Sequence, residues 1–143
     1  MTGTWIVSMC LGALCCAAGV PDPIPFKTLE AGVQSDIERP REVVVRTAAE
    51  WTALCADHRG GPQACAPIDF SRTMVLGVFL GTRPSAGFGV EITRIDRDGD
   101  ALVVSWRETK PGPNDMAAQM ITMPYRLVTL DRAAGPVRFV RAR

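Results

Sequence analysis

Apolar and polar positions change period several times along this chain, and each change predicts an element. "REVVVR" (41–46) is a short β-branched run and "RTMVLGVFLG" (72–81) a longer apolar run closed by glycine. Both read as buried strands, central in their sheet. Between them, "TAAEWTALCADH" (47–58) places Thr47 and Glu50 at capping-box spacing. Trp51, Leu54 and Cys55 share one face there, and Gly60, Gly61 and Pro62 supply the stop. That pattern predicts one helix lying on the sheet with Trp51 inward. "FGVEITRI" and "ALVVSW" flank "DRDGD", where Asp98 and Gly99 suit a tight turn while Val90 and Ile92 alternate with Glu91 and Thr93. This predicts an antiparallel hairpin. Beyond the loop "ETKPGPNDM", the runs "YRLVTL" and "PVRFV" read as a closing pair of strands joined by "DRAAG". Strand periodicity puts Tyr125 and Leu127 on one face and Val128 and Leu130 on the other. The fold class is therefore α+β, a small, mainly antiparallel sheet or sandwich with one packed α-helix.

Composition narrows the function classes. The chain has 143 residues, 47% hydrophobic and 22% charged, with a formal net charge of +1. That is one domain's worth of chain with no electrostatic pull toward polyanions, and the scattered aromatics form no basic stripe for nucleic acid. The apolar stretch from Trp5 to Ala18 is too short for a confident membrane span and ends in small residues. It reads as a secretory signal peptide over 1–18. A Pro-containing linker and first extended segment follow over 19–40, then a β-rich domain over 41–143. The expected location is exported, periplasmic or cell-surface, with membrane contact only through an uncleaved signal segment.

Removal of the signal leaves Cys55 and Cys65 around a Gly-Gly-Pro loop, which in an oxidising compartment reads as a disulfide. A metal site using Cys55, His58 and Cys65 lacks a fourth ligand, so no metal and no cofactor is expected. Asp96, Asp98 and Asp100 miss the EF-hand spacing and read as solvated turn charges. His58 stands at the predicted helix C-terminus, where the dipole favours a surface histidine, with no nucleophile placed beside it by sequence. Ser85 lacks the preceding glycine of a nucleophile elbow. Glu91 and Glu108 could meet across the hairpin, but charges on an exposed strand face are ordinary. No catalytic residue is assigned.

"GTRPSAGFGVEI" (81–92) concentrates backbone-shaping residues. Pro84 fixes its own φ and pushes Arg83 into an extended conformation, while Gly81 and Gly87 admit angles closed to other residues. The Arg83 guanidinium can reach a partner carboxylate, or it can pin carbonyls of the neighbouring "TKPGP" loop. Phe88 opens the alternating strand and reads first as core.

Together with "ETKPGP" and "TMPYRLV", this stretch resembles the PrcB-like domain, a module named from an accessory subunit of a spirochaete surface protease complex. The similarity runs from "AAEWTAL" to the C-terminus. Gly81, Arg83, Pro84, Gly87 and Phe88 match one family pattern, and Thr122, Pro124 and Tyr125 a second. The chain departs from the first at Ser85, Ala86 and Phe88, where the family has threonine, glycine and tyrosine. The resemblance implies an exported non-catalytic protein that binds or stabilises another protein, an exported protease among the candidates. The partner-contacting set is Arg83, Pro84, Gly87, Phe88, Pro124 and Tyr125, with Arg83, Pro84 and Tyr125 on a common exposed end. The alternatives are a protease inhibitor that binds through loops like those of chagasin, and a small-ligand-binding domain.

Overall fold

Whether a strand is apolar on one face or on both decides its place in this molecule. The computed structural model describes residues 21–61 and 65–143. The signal peptide expected at 1–18 lies outside those residues. In chain order the elements are β1 (Asp22–Pro23), β2 (Lys27–Gly32), β3 (Arg41–Val45), α1 (Ala48–Arg59), β4 (Thr73–Phe79), β5 (Gly89–Asp98), β6 (Ala101–Thr109), β7 (Tyr125–Asp131) and β8 (Val137–Arg141). They form two four-stranded sheets, β1-β5-β6-β8 and β2-β7-β4-β3. The expected α+β sandwich with one helix is what forms.

Three layers follow. Met74, Leu76, Val78 and Leu80 from one sheet meet Val90, Ile92, Leu102, Val104 and Trp106 from the other in the inter-sheet core. On the opposite face of the β2-β7-β4-β3 sheet, Val75, Phe79, Tyr125 and Leu127 pack against Trp51, Leu54 and Cys55 of α1. β4 therefore has both faces covered, which is why its sequence is an unbroken apolar run. β7 divides as its periodicity predicts, with Tyr125 and Leu127 toward the helix and Val128 and Leu130 toward the second sheet.

Two expectations about strand placement are corrected. β7 and β8 are not a pair: β7 sits between β2 and β4, whereas β8 runs parallel to β6 in the other sheet. β8 is apolar on one face only, with Val137 and Phe139 packed on the core and Arg138 and Val140 exposed, so it suits the sheet whose outer face is solvated. β3 is not central either. Among the described residues it pairs with β4 alone and forms an edge, with Arg41 and Glu42 exposed.

The helix is built as the sequence predicts. Thr47 Oγ1 accepts from the Glu50 amide and donates to the Glu50 carboxylate, which occupies an otherwise unpaired amide of the first turn. Gly60 ends α1 in the left-handed region and donates to the Ala56 carbonyl. Cys55 and Cys65 form the expected disulfide, tying α1 to the chain that follows it. The 19–40 stretch supplies β1 and β2, one strand to each sheet.

Candidate functional site

The 81–88 loop and the segment after β6 lock together through their backbones. Arg83 and Thr122 exchange amide-to-carbonyl bonds of 2.7 and 3.0 Å, and Ala86 donates to the Ala118 carbonyl at 2.9 Å. Thr122, fully buried, adds its hydroxyl to the Ser85 carbonyl. Gly81 has φ 72° and lies so close to residue 38 that a Cβ would stand 2.5 Å from the Glu38 carbonyl oxygen. Gly87 has φ 91°, and there a Cβ would press on Pro111 at 2.9 Å. Gly81 is thus demanded by a close backbone crossing, and Gly87 by its left-handed conformation against the Pro111 ring.

Arg83 is engaged within the protein through Nε and Nη1. Its Nε donates to Glu108 at 2.7 Å and its Nη1 to the carbonyls of Leu80 and Thr82. The guanidinium also stands 6.0 Å from the Phe88 ring centre. The pin is real, but it holds its own loop and Glu108 in place of the "TKPGP" carbonyls. Phe88 is half-buried, not core.

Glu108, read from the sequence as an ordinary charge on an exposed strand face, lies inward. Leu102, Val104 and Trp106 face the inter-sheet core, and the same period-2 alternation carries Glu108 inward, leaving its side chain 4% exposed. An inward carboxylate at a strand end is itself a signal that cations must be near. Arg83 and Arg141 both pair with it. Burial works against its ionisation. The Arg83 hydrogen bond and the charges of Arg83, Arg141 and Lys110 together outweigh that, and its pKa lies below the usual carboxylate range. Arg141 stacks 5.3 Å from the Trp106 ring centre, and the Trp106 indole donates to Glu42 of β3. Pro40, Arg41, Glu42, Leu80, Trp106 and both arginines line a cleft of about 240 Å³ between the sheets at this corner. Glu91 and Glu108 do not meet, because Glu91 pairs with Arg107 on the other face of the hairpin.

Tyr125 lies elsewhere. Its ring is buried under α1, 4.3 Å from the centre of His58 and stacked on Phe79. Its hydroxyl donates to Glu30 at 2.6 Å, and burial raises its pKa against the opposing charge of Arg59. Pro124 is buried, and its carbonyl accepts from Leu80. Of the expected set, Pro84 and Gly87 are exposed while Arg83 and Phe88 are half-buried. Arg83, Pro84 and Tyr125 therefore share no exposed end.

His58 is not a surface histidine but 1% exposed, because α1 turns its last buried position onto Phe79 and Tyr125. Its Nδ1 is 2.8 Å from Ser35 Oγ, and its Nε2, without a hydrogen-bond partner, stands 3.7 Å from Glu30. Ser35 Oγ already accepts the Ile37 amide. A hydroxyl proton given to Nδ1 leaves the ring proton on Nε2, facing the Glu30 carboxylate. Burial lowers the His58 pKa and the charge of Asp36 opposes it, so the ring is neutral at pH 7. Serine, histidine and carboxylate stand in a row, yet Ser35 is 3% exposed and offers no atom to a substrate.

Among the described residues, large apolar side chains reach solvent in one place above all. Met116, Met120 and Ile121 are exposed within six residues, and Met123 of the same segment donates its amide to the carbonyl of Val33, a further exposed apolar residue. Among the described residues, no cluster of three or more potential metal ligands occurs, and no helix is long and apolar enough to cross a membrane.

No curated protein and no solved structure matches the chain. A family model does match, over residues 74–131, from within β4 to the end of β7. That is less of the chain than the resemblance implied, since α1 and β8 fall outside it. It contains the Arg83 loop, the hairpin, the segment with its exposed methionines and the Thr122 anchor, and over this stretch the chain is similar to the PrcB-like domain family, described as PrcB C-terminal.

Proposed function

We propose that this protein is an exported, non-catalytic module that binds or stabilises another protein as an accessory to a protease complex, and that its contact surface is the 116–121 segment. The observation that carries this reading is the grouping of Met116, Met120 and Ile121 in solvent on a segment whose backbone is pinned by Ala86 and Arg83. Exposed apolar residues scattered singly need no explanation, but a group held in place marks an interaction surface. Methionine side chains adapt to a partner's shape at little cost. The similarity to the PrcB-like domain family supports the accessory role. In this reading the motif residues Gly81, Arg83, Gly87 and Thr122 are the clamp, and the chain they clamp makes the contact.

A photo-crosslinking side chain at position 121, and at position 103 on the solvated face of β6 as control, tests the assignment in the native exported fraction. The expected result is an adduct with a protease-complex component from position 121 alone. Equal adducts from both positions, or none from 121, would overturn it.

A further inference from the structure

The corner that holds Glu108 has more donors than its own carboxylate uses. Arg83 leaves Nη2 without a partner among the described residues, and Arg141, bound to Glu108 through Nη2, leaves Nε and Nη1. Arg41 is answered by Asp57 and Glu42 is held by the Trp106 indole. Three cations, Arg83, Arg141 and Lys110, act on Glu108. At the cleft itself Arg83 and Arg141 are balanced in charge by Glu108 and Glu42, so what its volume of about 240 Å³, room for a residue or so, offers a ligand is the spare guanidinium donors. The planar fork of a guanidinium fits a carboxylate, and stacking on Trp106 holds the Arg141 fork in orientation.

The adjoining edge supplies the rest. Among the described residues β3 pairs with β4 alone, so its other side presents amides and carbonyls to which they supply no strand partner. Along that side a groove of about 310 Å³ runs between β3 and Glu50, Ala53 and Leu54 of α1. Arg41 and Glu42 line both groove and cleft, which makes the two neighbours. A strand added antiparallel to β3 runs from Val45 toward Arg41, so its C-terminal end arrives at the cleft. Pro40, just beyond, has no amide hydrogen to continue the ladder. A chain that ends there matches the site, and its terminal carboxylate meets the spare arginine donors.

We infer that β3 and the Arg83–Arg141 cleft bind the free C-terminal end of an extended polypeptide, its last residues paired to β3 and its carboxylate on the two arginines. The inference rests on the protein-binding reading and adds the chemistry of the partner segment. β3 and Arg141 lie outside the family match, whereas Arg83 and Trp106 lie within it.

The test uses the immobilised full chain and a mixture of heptapeptides randomised at their last four positions, offered as free acids and as C-terminal amides and read by mass spectrometry. Free acids should be retained roughly tenfold or more over amides, as expected for charge-assisted hydrogen bonds. Arg141→Gln should bring that ratio to about one, and peptides N-methylated at alternate backbone positions should not be retained. Equal retention of acids and amides would overturn the inference, as would retention of N-methylated peptides, retention only of amidated peptides carrying Asp or Glu, or no retention. The crosslink at position 121 is read separately. An adduct there without acid preference removes this inference alone, and acid preference without the adduct removes the 116–121 assignment alone.

Discussion

Two polar clusters in this protein use similar ingredients to opposite ends. Under α1, Glu30 accepts from Tyr125, pairs with Arg59 and faces His58, which is joined to Ser35. Between the sheets, Glu108 takes Arg83 and Arg141. In the first, His58 and Ser35 are closed off from solvent and the histidine is neutral, so the cluster fastens the helix to its sheet. In the second, the carboxylate is buried but its cations reach a cleft with donors to spare. What separates a fastening from a site is unspent hydrogen-bonding capacity at a cavity, not the presence of a serine, a histidine or a buried charge.

The largest effect should come from the closed cluster. Tyr125→Ala removes an aromatic packed on Phe79 and His58 and should lower unfolding free energy by about 3–5 kcal/mol in urea titrations. A loss as small as that of a surface change would mean that this cluster fastens nothing. Next, Arg83→Ala should cost about 2–3 kcal/mol, because Glu108 loses a charged donor and the Leu80 and Thr82 carbonyls lose theirs. Unchanged stability would show that Arg83 is free to serve a partner in place of its own loop.

A smaller effect separates the clusters by pH. The folded pKa of His58 is below its ordinary 6.5, so the unfolded chain takes up a proton first and stability falls as pH drops below about 6.5. The folded pKa of Glu108 is below its ordinary 4.5, so its contribution is full above that value and is lost as pH falls further, through the folded pKa. Urea midpoints followed from pH 8 to pH 3 should therefore decline in two windows, and His58→Leu should remove the upper one. Smallest of all, Arg141→Gln should change stability by no more than about 1 kcal/mol, since its guanidinium is half exposed. A larger loss would make Arg141 a structural pin like Arg83 and weaken the contrast.

Much of the fold is legible in particular residues. Thr47, Glu50 and Gly60 mark the helix, Asp98 and Gly99 the hairpin, and the alternation of Tyr125, Leu127, Val128 and Leu130 both faces of a strand. Arg83 and the two glycines of its loop are also visible as a shaped segment. Glu108 left a fainter trace, one polar residue in step with Leu102, Val104 and Trp106. Ser35 left none, since a serine before a strand has no pattern to break.

The sequence by itself determined which apolar residues of the helix and the alternating strands face inward, where the chain turns and which cysteines pair, because caps, tight turns and strand alternation act over a few residues. Only the tertiary structure decided that β8 leaves β7 for the other sheet, that β3 is an edge and that His58 is buried. It alone brought Arg83 and Arg141 to Glu108, across 25 and 33 positions of chain. Such meetings depend on the register and order of strands far apart in sequence, and a shift of one residue in register would turn Glu108 out of the sandwich altogether.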